Sequence, residues 1–292
     1  MVGRTGRGGF VLVLALVVLA LAGTMLVAAV GRSSRAALAS AEAERELRLR
    51  WAQIGLQRLL APRAEGVLLS AADPKCPWLV ELSVTLNDLP VRVIISDEQA
   101  KVNLNDVWRR GQRNALEECL RQLQGERGTF ATVELDPTES PDGMAPAFGS
   151  YDQVFQDAGP ALLVGQRSGE PGLADLVTLW GDGSVNIQRA PLAVLRAALT
   201  PAMTEEEIHK LEQLRRDRPH LSVEEFFKKM NWSKERTKKL SRLLTDTSRC
   251  HGIWILCQDG RTAWTRLHVR RGISVRDLDR PGDPQSQTFV WR

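Results

Sequence analysis

The stretch Phe10–Val30 reads FVLVLALVVLALAGTMLVAAV and contains no charged residue. As an α-helix, these 21 residues would span about 31 Å, at about 1.5 Å per residue, which matches the hydrocarbon core of a bilayer. The stretch therefore predicts one membrane anchor from Phe10 to Val30, with Leu14 inside its first turns.

Three kinds of N-terminal segment contain such a helix: a plain anchor, a removable secretory signal, and a prepilin anchor that is cut before its apolar run. Small-x-small sites for a signal peptidase lie at Ala20–Ala22, inside the run, and at Ala37–Ala39, beyond two arginines. The run is also longer than the apolar core of most signal peptides. A short basic leader, residues 1–9, ends at Gly9 directly before Phe10. This junction favours the prepilin interpretation, with cleavage between Gly9 and Phe10.

The whole chain has ordinary globular composition. Its 292 residues are 43% hydrophobic and carry 39 Lys and Arg against 35 Asp and Glu. This balance excludes a disordered polyampholyte and a histone-like polycation. The 4 Cys and 4 His are too few for a disulfide-rich or multi-zinc scaffold. Oxidising surroundings would permit a disulfide, but the spacing does not determine which cysteines would pair.

Residues 31–62 predict a helical continuation of the anchor. They are rich in strong helix formers, with Leu47, Trp51 and Ile54 spaced for one helix face, and Pro62 ends the pattern. One helix of about 50 residues would join an apolar half to an amphipathic half. The alternative is a membrane helix followed by a separate linker helix.

Four later segments have the alternating pattern of β-strands. They form two predicted hairpins, 79–86 with 90–96 and 251–258 with 261–270, the second closed by an Asp-Gly turn. The residues between the hairpins are predicted as helices and loops. Because an isolated two-stranded hairpin is marginally stable, both hairpins are expected in one antiparallel sheet. The prediction is an α+β fold, with a discontinuous domain at 63–96 and 249–292 and an inserted helical domain at 97–248.

The predicted insert contains a weak internal repeat. A Val-Asn pair precedes a helical segment at residues 102–103 and again at 185–186, where the Asn side chain can cap free N–H groups. Capping boxes are predicted for Thr204 with Glu207 and for Ser222 with Glu225. The insert is thus expected to be a set of short helices.

Two of these segments carry a resemblance to a known family. Ser96–Asn105 reads SDEQAKVNLN, and Gly181–Pro191 reads GDGSVNIQRAP. Together with the Gly9–Phe10 junction and the long helix, they resemble the minor pseudopilin K of type II secretion, also called general secretion pathway protein K. The resemblance covers nearly the whole chain, and Asp-Glu-x-x-Lys-x-Asn-Leu-Asn is its most specific element.

The resemblance implies a pilin-like antiparallel sheet with an inserted all-α domain of the helix-hairpin-helix or SAM-like type. It also implies processing by prepilin peptidase and a single-pass position in the bacterial inner membrane, with the C-terminal domain in the periplasm. The implied place is the tip of a pseudopilus. The implied partners are the I- and J-type minor pseudopilins, the major pseudopilin and the inner-membrane secretion platform.

The fifth residue after the predicted cleavage site bears on that place. Pilin subunits that pack along a fibre usually carry a glutamate there, which neutralises the N-terminal ammonium of a neighbour in the apolar bundle. Counted from Phe10, this residue is Leu14. An uncharged residue at this position agrees with a subunit that has no other subunit above it in the fibre. A plain membrane anchor would also have an apolar residue there.

The same residues bear on two other classes of function, an enzyme and a DNA-binding protein. The chain has none of the usual hydrolase, zinc-protease or nucleotide-binding motifs, so an enzyme is not expected. Residues 185–226 resemble a helix-hairpin-helix, and 228–242 contain 7 basic residues against one acid, so the alternative is a membrane-anchored protein that binds or takes up DNA. Pro201 and the acidic residues 205–207 at the hairpin turn argue against phosphate contact.

No cofactor is expected, with one weak exception. Asp136, Glu139 and Asp142 lie in an acidic loop and offer the hard oxygen ligands that calcium prefers. Their spacing does not match an EF-hand, and Pro137 and Pro141 are equally typical of a solvated loop.

Overall fold

The computed structural model describes residues 7–74, 76–86, 88–124, 148–156, 163–164, 172–200, 202–259, 262–271 and 286–291. The chain divides into two compact units, Met1–Ile54 and Gly55–Arg292. The described part of the first unit is entirely helical. The second unit contains a sheet and several shorter helices.

Helix α1 extends without interruption over Arg7–Leu60. Residues 10–30 are all exposed, and α1 is long and apolar enough to cross a bilayer by length and composition. The continuity of α1 through residues 31–35 favours one long helix over a membrane helix with a separate linker helix. The α-helix gives way to a 3₁₀ turn at Ala61–Arg63, where Pro62 cannot donate the N–H that a further turn would need.

The second unit begins with the last turns of α1. Its further elements, in chain order, are α2 (Ala64–Ala71), β1 (Leu79–Leu86), β2 (Leu89–Asp97), β3 (Val102–Asn103), α3 (Leu104–Gln124), α4 (Leu173–Leu176), β4 (Val177–Thr178), β5 (Val185–Asn186), α5 (Leu192–Leu199), α6 (Glu205–Asp217), α7 (Val223–Met230), α8 (Lys234–Leu240), β6 (Leu244–Thr245), β7 (Cys250–Asp259), β8 (Thr262–Arg271) and β9 (Ser286–Trp291).

Five long strands form one antiparallel sheet in the order β1-β2-β7-β8-β9. Strand β2 pairs with β7 so that Asp97 lies opposite His251, although about 150 residues separate them in sequence. The prediction that both hairpins share a sheet is therefore confirmed. Strand β9, which pairs with β8, was not predicted because its six residues contain too short an apolar pattern to indicate a strand.

The last turns of α1 and the start of α2 lie against this sheet. Gln57 accepts a hydrogen bond from Arg266 Nε of β8 at 2.9 Å, and its Nε2 atom lies 3.0 Å from His268 Nδ1. Ala64 and Leu68 of α2 are each only 2% exposed. Hydrogen bonds and apolar packing together attach this helical segment to the sheet.

Most of the residues between β2 and β7 are helical where the structure describes them. The predicted fold class, a long N-terminal helix with an antiparallel sheet and an inserted helical block, is confirmed. The insert is not purely α-helical, because β3 pairs with β4 and β5 with β6 in two short parallel ladders. The repeated Val-Asn pairs supply one strand of each ladder.

Local capping follows the sequence closely at the predicted helix starts. Thr204 and Glu207 form a capping box at α6, and Ser222 and Glu225 form another at α7, as predicted. Asn103 Oδ1 accepts a hydrogen bond from the N–H of residue 106 in the first turn of α3. The second Asn of the repeat closes a turn instead of capping a helix, since α5 begins only at residue 192.

Candidate functional site

The segment Ser96–Asn105 leaves the end of β2 and leads through β3 into α3. We call its seven polar side chains the polar junction, and each is 8% exposed or less: Ser96, Asp97, Glu98, Gln99, Lys101, Asn103 and Asn105. Buried polar groups lower stability unless they find partners, so each of these side chains requires a compensating contact.

Glu98 and Lys101 form an ion pair inside the polar junction. Lys101 Nζ lies 2.6 Å from Glu98 Oε1, and each side chain is 1% exposed. Ser96 Oγ donates a hydrogen bond to the same carboxylate at 2.7 Å, and Thr178 Oγ1 donates to Glu98 Oε2 at 2.5 Å. Since Thr178 belongs to β4, the ion pair connects the end of the sheet strand with the insert.

Gly252 of β7 lies directly beside the Glu98 carboxylate. A Cβ atom at this position would overlap with Glu98 Oε1 and approach Ser96 Oγ to 3.0 Å. Only glycine leaves room for the carboxylate against the strand. The buried ion pair is thus fitted to the sheet as well as to the insert.

Ser96 and Lys101 are in contact, and serine and lysine are residue types that can act as a nucleophile and its general base. Lys101 Nζ donates to Ser96 Oγ at 2.9 Å, but both residues are only 1% exposed. Lys101 Nζ is also 2.6 Å from Glu98 Oε1, so its ammonium is already engaged with a buried carboxylate. This geometry supports a structural role and offers no access for a substrate.

Glu65 connects three parts of the second unit. From α2, its carboxylate accepts two hydrogen bonds from the Arg189 guanidinium of the insert, at 2.7 and 2.9 Å. His251 Nε2 of β7 lies 2.8 Å from Glu65 Oε2. Partial burial would raise the pKa of Glu65, but the hydrogen bonds from His251 and Arg189 outweigh it and lower the pKa to about 2.

The Asp97 carboxylate is fully buried and lies next to this arrangement. It accepts hydrogen bonds from Asn186 Nδ2 at 3.1 Å, from the backbone N–H of Gln99 at 2.9 Å and from Ser248 Oγ. Arg189 NH1 lies 3.4 Å away. Burial raises the pKa of Asp97, while Ser248 and the nearby charge of Arg189 act in the opposite direction.

The two segments that carry the family resemblance contact each other in space. Gln99 Nε2 donates to Asp182 Oδ1 at 3.0 Å and to Ser184 Oγ at 2.9 Å. Asn103 Nδ2 donates to the carbonyl of Trp180 at 2.9 Å. The polar junction therefore brings together residues about 80 positions apart in the sequence.

Asn105 holds a third segment at the junction. Its Oδ1 atom accepts the N–H of Phe148 at 2.6 Å, and its Nδ2 atom donates to the carbonyls of Phe148 at 3.0 Å and Leu179 at 2.8 Å. One side chain thereby partners three backbone groups of other segments. A polar side chain at this position is consequently required by the fold.

The predicted processing and anchor residues lie at the start of the first unit. Gly9 belongs to the backbone of α1, and Phe10, Leu14 and Val30 have exposed apolar side chains, at 72%, 54% and 57%. Leader residues 1–6 lie outside the described residues. Cleavage between Gly9 and Phe10 therefore stays a prediction.

Metal binding stays a prediction as well. The calcium candidates Asp136, Glu139 and Asp142 lie outside the described residues. Among the residues that the structure describes, there is no cluster of three or more His, Cys, Asp or Glu side chains that could hold a metal ion. Burial raises the pKa of the Cys76 thiol to about 11 and that of Cys119 to about 12, so neither is primed as a thiolate ligand or nucleophile.

The turn between α5 and α6 is the part of the insert that resembles a DNA-binding hairpin. The N–H groups of Ala202 and Met203 donate to the carbonyl of Leu199 at 2.7 and 2.8 Å. The N–H of Thr204 donates to Glu207 Oε2 at 2.9 Å. A phosphate at this turn would have to compete with these internal hydrogen bonds and with the Glu207 carboxylate.

Sequence reasoning missed three partly buried members of the polar network around Asp97: Glu65, Ser248 and His251. Glu65 follows the long helix in the sequence and Ser248 ends the predicted insert, and neither belongs to a motif. The cross-strand pairing of residues 97 and 251 was the available signal, since it follows from placing both hairpins in one sheet. Using this signal requires the exact register of β2 against β7, which the sequence patterns do not provide.

The fold and the junction together define a class of protein: a chain with an N-terminal helix suited to a membrane and an antiparallel sheet interrupted by a helical insert. No protein-family model and no curated protein sequence matches the chain. Among solved structures, it is similar to a chain in the crystal structure of the GspK-GspI-GspJ complex from the type 2 secretion system of enterotoxigenic Escherichia coli. The two share 15% identity, covering 84% of this chain and 99% of that one, with a TM-score of 0.42. A TM-score of 0.42 is too low to support an argument from similarity. The fold of this chain is therefore defined by its own helices and strands.

Proposed function

We propose that this protein is a minor pseudopilin of a type II secretion system. In this role it is cut by prepilin peptidase between Gly9 and Phe10, retained in the inner membrane by residues 10–30, and placed at the tip of a pseudopilus that supports export of folded proteins. The family resemblance of the sequence and the architecture of the chain support this role.

One observation carries the proposal most directly. Helix α1 is a single 54-residue helix that starts with an exposed apolar segment and ends in hydrogen bonds to an antiparallel sheet, through Gln57 to Arg266 and His268. A helix that is apolar on all sides needs lipid or other helices around it. A pilin-type subunit uses such a helix first as an anchor and then as its contact with the fibre.

The helical insert supports the choice of the K-type subunit. The insert interrupts the sheet between β2 and β7, and the polar junction attaches it to the sheet through buried ion pairs and hydrogen bonds. These contacts include the pair of Glu98 with Lys101 and the hydrogen bond from Asn186 to Asp97, and all four residues lie in the two segments that resemble the K-type family.

The tip position is supported by Leu14. An N-terminal ammonium in an apolar helix bundle costs several kcal/mol unless it is paired with a carboxylate. Leu14 cannot supply that carboxylate to a subunit above it, so this chain is suited to the last position of a fibre. The I- and J-type minor pseudopilins are its proposed neighbours there. The major pseudopilin and the inner-membrane platform are proposed contacts during assembly, and the C-terminal domain is proposed to lie in the periplasm.

The processing step gives the most direct test. The full chain is expressed with and without a prepilin peptidase, purified from membranes, and its N-terminus is sequenced. We expect a mature chain that begins with Phe10 only when the peptidase is present. Gly9→Leu should block this cleavage, because it places a bulky side chain directly before the scissile bond.

A matched variant, Gly8→Ala, changes the neighbouring glycine by one methyl group and should still be cut. A mature start near Gly23 or Ser40 would instead indicate a secretory signal and would contradict the proposal. An uncut chain in the presence of an active peptidase would leave a plain membrane anchor as the better interpretation.

A further inference from the structure

Basic side chains cluster on α7, on α8 and on the turn that follows. We call this surface the basic face, and it consists of Lys228, Lys229, Lys234, Lys238, Lys239 and Arg242, all of which are exposed. In the part of the chain that the structure describes, none of the six forms an ion pair, whereas the neighbouring Arg236 pairs with Glu207 at 2.7 Å. Among the described residues, Glu224, Glu225 and Glu235 are exposed carboxylates of the same two helices, so the six cations exceed the nearby anions by three.

Helix electrostatics account for only part of this arrangement. Lysines in the last turn of a helix are favoured by the helix dipole, which explains the pairs at 228–229 and 238–239. Lys234 stands at the first residue of α8, where the dipole disfavours a cation. Lys234 and Lys238 are four residues apart on α8, so these like charges are neighbours along one side of the helix. This pair of like charges is unfavourable for the isolated domain.

Caps and side-chain contacts within the domain hold the two helices of the basic face. Ser222 and Ser233 cap α7 and α8, and between the two helices Trp232 Nε1 donates to Glu207 at 3.0 Å. The guanidinium of Arg236 lies 4.8 Å from the centre of the Trp232 ring. The aromatic ring between the two helices is therefore engaged within the domain and is not available to enter a membrane.

The chemistry of this surface restricts its partner. No large apolar side chain between residues 222 and 249 is strongly exposed among those described. A surface that binds membranes usually adds apolar side chains that enter the lipid, and a tight protein interface usually has an aromatic or apolar centre. The basic face has neither, which suits a transient contact steered by charge.

We propose that the basic face is a docking surface for an acidic surface of a folded protein partner. The contact would be rapid, weak and sensitive to salt, because it is formed by exposed ammonium groups and carboxylates. A nucleic-acid partner is disfavoured, since the N–H groups of the adjacent hairpin are already used at Ala202, Met203 and Thr204. This inference goes beyond the secretion role proposed above and does not depend on cleavage at Gly9.

The experiment uses the full chain in nanodiscs of neutral phosphatidylcholine. Binding is measured by fluorescence anisotropy at 50, 150 and 300 mM salt, against three labelled probes: a poly-L-glutamate chain of 20 residues, a DNA duplex of equal charge, and nanodiscs containing phosphatidylglycerol. The clustered variant Lys234→Gln/Lys238→Gln/Arg242→Gln removes three charges from the basic face. The matched variant Arg58→Gln/Arg109→Gln/Arg218→Gln removes three exposed charges that are far apart in the sequence, in α1, in α3 and directly after α6.

We expect poly-L-glutamate to bind the unmodified chain at 50 mM salt and to bind about tenfold or more weakly at 300 mM salt. The clustered variant should lose about tenfold in affinity and the scattered variant about twofold or less. Equal losses would show that only net charge matters and would overturn the proposal, as would an absence of binding at 50 mM salt. Tighter binding of the duplex would assign the surface to nucleic acid, and tighter binding of the phosphatidylglycerol nanodiscs would assign it to membranes. Circular dichroism of both variants verifies that a loss of binding is not a loss of folding.

Discussion

Lys101 Nζ lies 2.6 Å from Glu98 Oε1 in a place where each of the two side chains is 1% exposed. The pair sits where β2 ends and the insert begins, with Thr178 of β4 and Gly252 of β7 against the same carboxylate. Two charges removed from water are stable only when each has partners, so this geometry couples the sheet to the insert. The insert is therefore fixed to the sheet by buried charge in addition to apolar packing.

Replacing Lys101 by Met should destabilise the domain strongly. The change leaves the Glu98 carboxylate buried without its counter-charge, a loss of about 3–5 kcal/mol in the free energy of unfolding. Urea denaturation of the full chain in neutral detergent, followed by circular dichroism, measures this difference. Arg113→Met is the control, because it breaks an exposed ion pair with Glu117 and should cost at most about 1 kcal/mol. Similar losses for the two variants would contradict the buried role of Lys101.

The side chain of Asn105 should be indispensable for stability. Asn105→Ala would leave the N–H of Phe148 and the carbonyls of Phe148 and Leu179 without a partner. An orphaned buried group costs about 1–3 kcal/mol, so the melting temperature should fall by several degrees. Asn105→Asp keeps the acceptor but loses the donor, and we expect an effect at least as large because it adds a buried charge. A melting temperature unchanged by Asn105→Ala would show that these contacts are unimportant.

Two glycines make a matched pair for a backbone prediction. Gly183 has φ +85°, and a Cβ there would lie 2.7 Å from Asp106 Cγ, whereas a Cβ at Gly66 in α2 would meet nothing within 4 Å. Gly183→Ala should lower the free energy of unfolding by more than about 1 kcal/mol. Gly66→Ala should raise it by about 0.5–1 kcal/mol, because alanine restricts the unfolded chain and favours the helix. Chemical denaturation of both variants checks the sign of each change, and the same sign for both would refute this account.

Asp175 should give the stability of the domain a pH dependence. Burial raises the pKa of Asp175 to about 6, although the charge of Lys101 and the N–H of Gly172 oppose this rise. The folded state therefore disfavours the ionised form, and stability declines as the pH rises from about 4 to about 6. The decline amounts to about 3 kcal/mol at most, since one pKa unit corresponds to about 1.4 kcal/mol.

Asp175→Asn removes this ionisation and keeps an acceptor for the N–H of Gly172. Melting temperatures measured between pH 4 and pH 8 should show the variant gaining on the unmodified chain as the pH rises. Asp152→Asn, at an exposed position, serves as the control and should follow the unmodified chain. A constant difference between Asp175→Asn and the unmodified chain over this range would contradict the raised pKa.

Much of the fold could be predicted because it depends on patterns along the chain. The apolar run at 10–30, the two strand pairs and the capping boxes at Thr204 and Ser222 are local signals, and each of these elements is present in the structure. The predicted domain boundaries, the cleavage site and the calcium candidates stay predictions. The network around Glu65 was not predictable in this way, because its members come from α2, from the insert and from β7.

The sequence by itself determined the helices, the strands and the segments that are unusual for their polarity, since periodicity and capping act over a few residues. It also showed that Ser96–Asn105 and Gly181–Pro191 carry the family resemblance, but it did not show what their polar side chains contact. Only the tertiary structure decided that their polar side chains are buried and serve as partners for one another. Burial and hydrogen bonding between distant segments depend on the register of β2 against β7 and on the docking of the insert, and neither is encoded by a local pattern.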